Sequence, residues 1–327
     1  MTTILSNRVQ KVKPSATMAV SDKAKELKSQ GVQIISMGSG EPDFDTPVNI
    51  QKAAIHAIGA GETRYTAADG TPELKKAIRD KFKRENGLDY TANEVMVSCG
   101  GKQVFYNLCQ AILNEGDEVI IPTPYWVSYP DMAILADATP VFIEAGLDQD
   151  FKITPQQLEA SINSKSKLLV LNSPSNPTGS VYSKSEIEAL GEVLKKHPQV
   201  LIISDDIYEH IRWGNDEFIN IAMACPELKD RIIILNGVSK AYAMTGWRIG
   251  YAAGPELVIK AMKKIQGQST SNPSSISQAA ALEAINGDQS FITMMVEAFE
   301  RRHNFLVESL NAIDGIECPR SGGAFYS

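Results

Sequence analysis

Short apolar runs with the length of buried strands recur along the middle of the chain. They cover 94–98, 117–122, 139–143, 167–172, 200–204, 231–236 and 247–254. Segments with a helical spacing of apolar residues lie between several of them, at 101–114, 125–136 and 183–196. Strands that are apolar on both faces and alternate with helices indicate a mostly parallel sheet covered on both sides. The pattern therefore predicts an α/β fold that binds ligands at the carboxyl ends of its strands.

Two further helical patterns precede the first strand, at 48–61 and 71–87. In the second, Thr71 is a suitable cap, Pro72 suits the first turn and Gly87 marks the end. We predict a helix over each segment.

Composition and charge exclude several classes of protein. The chain has 327 residues, of which 43% are hydrophobic and 22% charged, as in a globular enzyme with one large and one smaller domain. Its net charge is -7 and it has no run dense in lysine and arginine, which argues against binding nucleic acid. No apolar run approaches the roughly 20 residues of a membrane span. The N-terminal segment also lacks the apolar centre of a signal peptide.

The cysteines and histidines show no metal-binding spacing, so we expect no metal site. Four scattered thiols indicate a reducing compartment, and we expect the protein in the cytoplasm.

Polar residues follow two of the predicted strands. The run 200–204 leads into Asp205, Asp206 and Tyr208, and the run 167–172 leads into a turn that carries Asn176. Taken singly, the acids also suit an exposed loop and Asn176 suits an ordinary turn.

The segment 236–251 is apolar but contains two cations eight residues apart, Lys240 and Arg248. Both can also extend from a strand edge to water. Gly100 and Gly101 stand before a predicted helix, where backbone N–H groups suit a phosphate or close packing. Tyr125 and Trp126, after the run 117–122, suit either a core or a stacked ligand.

Together these groups match the needs of pyridoxal phosphate. Its aldehyde requires a lysine amine, its ring nitrogen a carboxylate and its phenolate oxygen hydrogen-bond donors. Its phosphate suits an arginine with N–H groups, and its ring face suits an aromatic side chain.

The chain resembles the class I aminotransferases, which are fold type I pyridoxal-phosphate enzymes, and among them the bacterial aspartate aminotransferases of type Ib. The resemblance runs from about Arg8 to the last residue. It rests on eight motifs in order, PSATMAV, GEPDFDTP, RYTAADGTPELKKAI, GGKQ, PTPYWVSYP, NSPSNPTG, SDDIYEH and VSKAYAMTGWRIGY. It implies a mostly parallel central sheet with helices on both faces and a smaller α+β domain.

The resemblance implies roles at the cofactor. Lys240 resembles the Schiff-base lysine that carries the proton between the substrate Cα and the cofactor C4′. Asp205 resembles the carboxylate on the ring nitrogen, whereas Asp206 stands where the family accepts Asp or Glu. Tyr208 and Asn176 resemble donors to the phenolate oxygen.

Arg248 resembles the phosphate-binding arginine, and Gly100, Gly101 and Lys102 occupy the loop at the phosphate. Here Lys102 stands where other relatives have a hydroxyl residue. Trp126 resembles the aromatic that stacks on the ring, with Tyr125 a weaker candidate.

Substrate and subunit contacts are implied in the same way. Asn176 and Gly40 resemble residues of the substrate pocket, and Trp126 lines it. Lys102 resembles a residue that meets the distal carboxylate of a dicarboxylic substrate, with a phosphate contact as the alternative. Thr17 resembles a companion residue in members that accept prephenate, with a helix cap as the alternative. Tyr65 resembles a tyrosine that reaches the partner's phosphate in a homodimer.

The expected reaction moves an amino group between an amino acid, aspartate or glutamate, and a 2-oxo acid. A prephenate-accepting aminotransferase of the same subgroup, a β-lyase and a cyclopropane-forming synthase are alternatives on this fold. A ligand-sensing domain of a transcription regulator would need a DNA-binding module, for which the first 47 residues are too few and too weakly basic.

The expected domains are an N-terminal segment of the small domain at 1–47, a large cofactor domain at 48–290 and the beginning of a truncated small domain at 291–327. The family's arginine for the substrate α-carboxylate lies downstream of the last residue, so we expect the chain to bind the cofactor but transaminate poorly. We also expect helix 288–313 to expose apolar side chains, namely Phe291, Met294, Phe299 and Phe305.

Overall fold

The structure, a computed structural model, describes residues 4–14, 16–38, 40–214 and 217–327, without the side chains of 16–18. A seven-stranded sheet lies at its centre. The strands are β1 (Val95–Ser98), β2 (Glu118–Thr123), β3 (Thr139–Glu144), β4 (Ser166–Asn172), β5 (Leu201–Asp205), β6 (Ile232–Gly237) and β7 (Gly250–Ala253).

The strand order is β1-β7-β6-β5-β4-β2-β3. β7 is antiparallel to both of its neighbours, and every other adjacent pair is parallel. All seven predicted strands are confirmed, with ends that differ by at most three residues. The last begins only at Gly250 because Thr245–Trp247 form a 3-10 turn and Arg248 has a left-handed backbone, with φ 58°.

Helices connect the strands and cover the sheet. They are α1 (Asn7–Lys11), α2 (Ala16–Ser29), α3 (Val48–Gly59), α4 (Pro72–Asn86), α5 (Gly101–Ile112), α6 (Ser128–Leu135), α7 (Pro155–Ser161), α8 (Lys184–Lys195), α9 (Ile221–Ala224), α10 (Glu256–Gly267), α11 (Ser275–Asn286) and α12 (Ser290–Asn311). The ends predicted for α4 are confirmed: the Thr71 hydroxyl accepts a hydrogen bond from the Leu74 N–H, and Gly87 has a left-handed backbone.

Two apolar cores lie on opposite faces of the sheet. Successive residues of β1 alternate between them, so that Val95 and Val97 belong to one core and Met96 to the other. The first core includes α3, α4 and α11, and the second includes α5, α6 and α10. The predicted sheet with helices on both faces is confirmed.

The two ends of the chain meet beside the sheet. Phe44 contacts the rings of Phe291 and Phe299 edge-on, and Arg302 pairs with Asp43 at 2.7 Å. The expectation of an exposed apolar face on α12 therefore fails at Phe299, which Phe44 buries. It holds at Met294 and Phe305, which are exposed. The division into three domains stays a prediction.

The parallel strands bring the candidate site residues to one edge of the sheet. β4, β5 and β6 are neighbours, and they end at Asn172, Asp205 and Gly237. The loops that follow bring Asn176, Tyr208 and Lys240 to one edge of the sheet, as expected for a doubly covered sheet.

Candidate active site

A cavity of about 690 Å³ opens at this edge. Most of the residues predicted to serve a cofactor or substrate line it: Lys240, Asp205, Tyr208, Asn176, Arg248, Trp126, Gly101, Lys102 and Gly40. They come from six separate segments of the chain, and the fold brings them together in one place.

Lys240 lies in the cavity wall with its ammonium group largely removed from water. Its Nζ donates a hydrogen bond to the carbonyl oxygen of Gly40. Burial lowers the pKa of Lys240 to about 8; the carboxylate of Glu41 opposes this shift and the guanidinium of Arg248 adds to it. A lysine with this pKa has a substantial neutral fraction near physiological pH and suits a nucleophile.

Asp205 ends β5 inside the cavity, and its side chain is fully buried. Its Oδ2 accepts a 2.5 Å hydrogen bond from the Tyr129 hydroxyl, and its Oδ1 accepts one from the Ile207 N–H at 3.3 Å. Burial raises the pKa of Asp205 to about 6, and the Tyr129 hydrogen bond opposes this shift. A buried carboxylate held only by neutral donors suits a cationic ligand group.

Asp206 is buried away from the cavity. Its two oxygens accept hydrogen bonds from the Ser204 hydroxyl and the Asn220 amide, both at 2.7 Å. Burial and the nearby charge of Glu209 hold the pKa of Asp206 well above its usual range. Successive strand residues point to opposite faces, so only the first acid faces the cavity.

Tyr208 and Asn176 stand side by side. The Asn176 side chain opposes the burial that raises the pKa of Tyr208, and the Asn176 N–H donates to Asn172 Oδ1 at 2.7 Å. The Tyr208 hydroxyl also lies 2.6 Å from that of Tyr326. A phenol and an amide therefore converge on one small region of the cavity.

Arg248 and the loop before α5 form an anion-binding corner. The guanidinium donates to the carbonyl oxygens of Thr245 at 2.8 Å and Cys99 at 3.3 Å. Gly100 has φ 90°, and a Cβ at this position would collide with the guanidinium. The N–H groups of Gly101 and Lys102, the first two of α5, have no partner among the described residues and add to this corner.

The ammonium group of Lys102 lies over the ring of Trp126 in the cavity. The Lys102 Nζ lies 5.2 Å from the centre of the Trp126 ring. Burial, then the charge of Arg248, lowers the pKa of Lys102. Tyr125 instead stacks on Phe142, with ring centres 5.1 Å apart, which supports Trp126 as the better stacking candidate.

One predicted residue lies elsewhere, and the side chain of another is not described. Tyr65 is 91% exposed and does not line the cavity of its own chain. Thr17 lies in α2, and its side chain is outside the described part of the chain.

Three aromatic residues at the cavity were not singled out from the sequence. Tyr129 lies three residues after Trp126, and this helical spacing was the available signal for it. Phe325 and Tyr326 come from an apolar run far from the other motifs, and nothing local to that run predicts contact with Tyr208.

Comparison with known proteins agrees with this geometry. The family model for class I and II aminotransferases matches residues 32–327. The aspartate/prephenate aminotransferase of Nitrosomonas europaea is 58% identical over 323 residues, which are 99% of this chain and 81% of that protein. That of Cereibacter sphaeroides is 58% identical over 322 residues, 98% of this chain and 80% of that protein.

The chain belongs to the class I and II aminotransferase family.

Solved structures give the same result. The crystal structure of the aspartate aminotransferase from Rhizobium meliloti is 49% identical, with a TM-score of 0.95, and the match covers 98% of this chain and 80% of that one. The aspartate aminotransferase of Thermus thermophilus, solved with maleate, is 45% identical with a TM-score of 0.94, and the match covers 98% and 83%. The expected fold type I architecture is confirmed.

This aminotransferase uses pyridoxal phosphate to move an amino group between an amino acid and a 2-oxo acid. When bound, the cofactor supplies an aldehyde that links to amines and an electron-poor ring that stabilises negative charge on the substrate α-carbon. Two features of the cavity fit it: the buried carboxylate of Asp205, and the Gly100 backbone that only a glycine allows beside Arg248.

Among the described residues, no helix is long and apolar enough to cross a membrane.

Proposed function

We propose that this aminotransferase acts on aspartate and glutamate and that Lys240 is its central catalytic residue. The observation that carries the proposal is the convergence of Lys240, Asp205, Tyr208 and Arg248 on one cavity. These four side chains offer an amine, a carboxylate, a phenol and a guanidinium in the combination that the cofactor requires.

In this proposal Lys240 would hold the cofactor through its aldehyde, with loss of water, and its amine, free again once the substrate amine has taken its place, would accept the proton of the substrate α-carbon. Its pKa of about 8 suits both tasks, because the amine is neutral often enough to attack and basic enough to accept a proton. Gly40 accepts a hydrogen bond from Lys240 Nζ and holds it against the cavity wall.

Five other side chains hold the cofactor in place. Asp205 binds the ring nitrogen and keeps it protonated, and Tyr208 with Asn176 donates to the phenolate oxygen. Arg248 binds the phosphate together with the N–H groups at the start of α5, from Gly101 and Lys102, and Gly100 lets the loop pass close to the guanidinium. Trp126 stacks on the ring and closes one side of the substrate pocket.

Lys102 selects acidic substrates in this proposal. Its ammonium group lies above Trp126, inside the cavity, and it has no carboxylate partner among the described residues. A lysine in the cavity without an anion suits a substrate carboxylate. The names of the relatives and the maleate bound by the Thermus thermophilus structure, a four-carbon dicarboxylate, support the same substrate class.

Prephenate is a second candidate substrate, because both of the relatives compared above are aspartate/prephenate aminotransferases. Thr17 is the residue that we associate with it. Formation of arogenate from prephenate and an amino donor tests this directly, and its absence would leave aspartate and glutamate as the substrates.

We further propose a homodimer in which Tyr65 reaches the phosphate site of the partner. Tyr65 extends into solvent, yet its loop is held firmly: the Gln278 amide donates to the Thr66 hydroxyl at 2.9 Å and accepts from the Thr71 N–H at 2.8 Å. A fixed loop with an exposed aromatic side chain suits an interface. Analytical ultracentrifugation of the holoenzyme tests this, and a monomer at assay concentrations would contradict it.

The four cysteines are all free thiols, and three of them are buried. This supports a reducing compartment, and we propose the cytoplasm.

A half-reaction screen tests the proposed substrate class. Holoenzyme is mixed with one amino donor and no oxo acid, and loss of the visible band is recorded while mass spectrometry identifies the product. We expect aspartate and glutamate to bleach the band faster than leucine or phenylalanine and to yield their 2-oxo acids. Release of ammonia in stoichiometric amounts would instead indicate a β-lyase.

A further inference from the structure

The hydroxyl groups of Tyr208 and Tyr326 lie 2.6 Å apart in the cavity wall. Their rings meet edge-on, with centres 5.8 Å apart, and Phe325 packs against both. Tyr208 comes from the loop after β5 and Tyr326 from the segment after α12, so this contact joins two distant parts of the chain.

Backbone hydrogen bonds fix the segment that carries Tyr326. The N–H groups of Gly322 and Gly323 both donate to the Gly179 carbonyl oxygen at 3.1 Å, and the Ala324 N–H donates to Ile211 at 2.8 Å. The Trp213 indole donates to the Ser321 carbonyl oxygen at 2.6 Å. Tyr326 is therefore held by the loops that carry Asn176 and Tyr208.

The hydrogen-bonding capacity of Tyr208 limits which of its neighbours can donate to it. A phenol has one proton to donate and can accept from its neighbours. If Tyr208 gives its proton to the cofactor, Tyr326 and Asn176 are the neighbours that can donate to its oxygen. Burial raises the pKa of Tyr326 to about 12, and the hydrogen bond with Tyr208 opposes this shift, so the proton of Tyr326 is available at neutral pH.

The same hydroxyl limits the size of residue 40. A Cβ built on Gly40 would lie 2.6 Å from the Tyr326 oxygen but 3.5 Å from the nearest ring carbon. The Tyr326 oxygen is therefore the atom that leaves no room for a larger residue at position 40. The carbonyl oxygen of the same residue accepts the hydrogen bond from Lys240.

We propose that Tyr326 is a positioning residue whose hydroxyl donates to Tyr208, orients the Tyr208 proton toward the cofactor and sets the spacing to Gly40. This rests on the proposed role of Tyr208 as a donor to the cofactor phenolate oxygen. Donation to Tyr208 makes its own O–H a stronger donor, because hydrogen bonds in a chain polarise one another.

The test is a pH titration of the visible absorption band of the holoenzyme for Tyr326→Phe. A weaker donor at the phenolate oxygen raises the proton affinity of the bound chromophore. We expect its apparent pKa to rise by roughly half a unit to one unit, the equivalent of one neutral hydrogen bond. Tyr106→Phe on α5, outside the cavity lining, is the matched control and should leave the titration unchanged.

Tyr208→Phe separates this proposal from the proposed function. It should shift the band further in the same direction, and no shift would mean that the role of Tyr208 is wrong. A shift for Tyr208→Phe with none for Tyr326→Phe would overturn the positioning role alone. An equal thermal stability of Tyr326→Phe and the parent would show that a shift does not come from a loosened fold.

A double-mutant cycle tests the spacing. Gly40→Ala should weaken cofactor binding in the parent by roughly tenfold, because the clash requires several tenths of an ångström of movement at Lys240. In the Tyr326→Phe background the same substitution should cost less than twofold, since the remaining contacts are ordinary. Equal losses of cofactor affinity in both backgrounds, measured by equilibrium dialysis, would overturn the spacing role.

Discussion

The Tyr129 hydroxyl donates a 2.5 Å hydrogen bond to Asp205, the one carboxylate that ends a strand inside the cavity. Tyr129 is itself buried against Phe105 and Trp126, so its position is fixed by packing. This contact aligns Asp205 toward the cavity, whereas Asp206 is occupied by Ser204 and Asn220. The two adjacent acids therefore have different tasks.

Substitution of the two acids should give very different results. Asp205→Asn removes the charge that keeps the cofactor ring nitrogen protonated, and kcat should fall by several orders of magnitude. Asp206→Asn keeps the hydrogen bonds to Ser204 and Asn220 in part, and kcat should change little. Steady-state kinetics with aspartate measure both. The reverse ranking would place the wrong acid at the ring.

Lys102→Ala should discriminate between amino donors. Loss of a charge-assisted pair with the distal carboxylate should reduce kcat/KM for aspartate, by a factor equivalent to about 2–3 kcal/mol of lost transition-state stabilisation. Donors with aromatic or aliphatic side chains should be spared. Lys102→Met, which keeps the stem over Trp126, separates lost charge from lost packing. Equal losses for every donor would indicate a phosphate contact.

Lys81 should be far more important for stability than its neighbours on α4. It is 1% exposed, and its ammonium group pairs with the buried Glu209. The ammonium group also donates a hydrogen bond to the Asn86 side-chain oxygen at 2.9 Å. Glu85 also pairs with it at 3.5 Å, so this one lysine supplies a cation to two acids. Lys81→Met leaves Glu209 buried without its partner and should reduce the free energy of unfolding by about 3–5 kcal/mol.

The matched control is Lys76→Met on the same helix, because Lys76 pairs with Asp80 at 2.6 Å on the surface. Urea unfolding should show no significant change for it. The double variant Lys81→Met with Glu209→Gln should recover part of the loss, since no lone charge remains. Similar midpoints for Lys81→Met and Lys76→Met would contradict the account of this pair.

Capture of the cofactor by cofactor-free protein should depend on pH through Lys240. The attacking group is the neutral amine, and burial places its pKa at about 8. Below this pKa the rate constant should therefore rise about tenfold per pH unit, and above it the rate should level off. Stopped-flow absorbance gives the profile, after correction for the titration of free cofactor. A midpoint near 10.5, the ordinary lysine value, would show that Lys240 is not desolvated in solution.

The sequence predicted the sheet, its helices and most of the cavity because each depends on local patterns. Buried parallel strands are apolar throughout, and the residues after them must meet at one edge. Lys240, Asp205 and Asn176 were found in this way, while their roles came from the resemblance to known aminotransferases.

What the sequence did not predict depends on contacts between distant segments. Lys76 and Lys81 look alike in one amphipathic helix, but Lys76 pairs with the exposed Asp80, whereas Lys81 meets the buried Glu209, 128 residues away along the chain. Tyr326 contacts Tyr208 across 118 residues. The predicted exposure of Phe299 is wrong, because Phe44, from a distant part of the chain, covers it.

The covalent role of Lys240 is the central claim, and one measurement tests it most directly. Holoenzyme is reduced with borohydride, digested, and mapped by mass spectrometry for the peptide that carries the reduced cofactor. We expect one label per chain, on Lys240, and no stable label in Lys240→Ala. A stoichiometric label on any other lysine, such as Lys102 in the same cavity, would contradict the account.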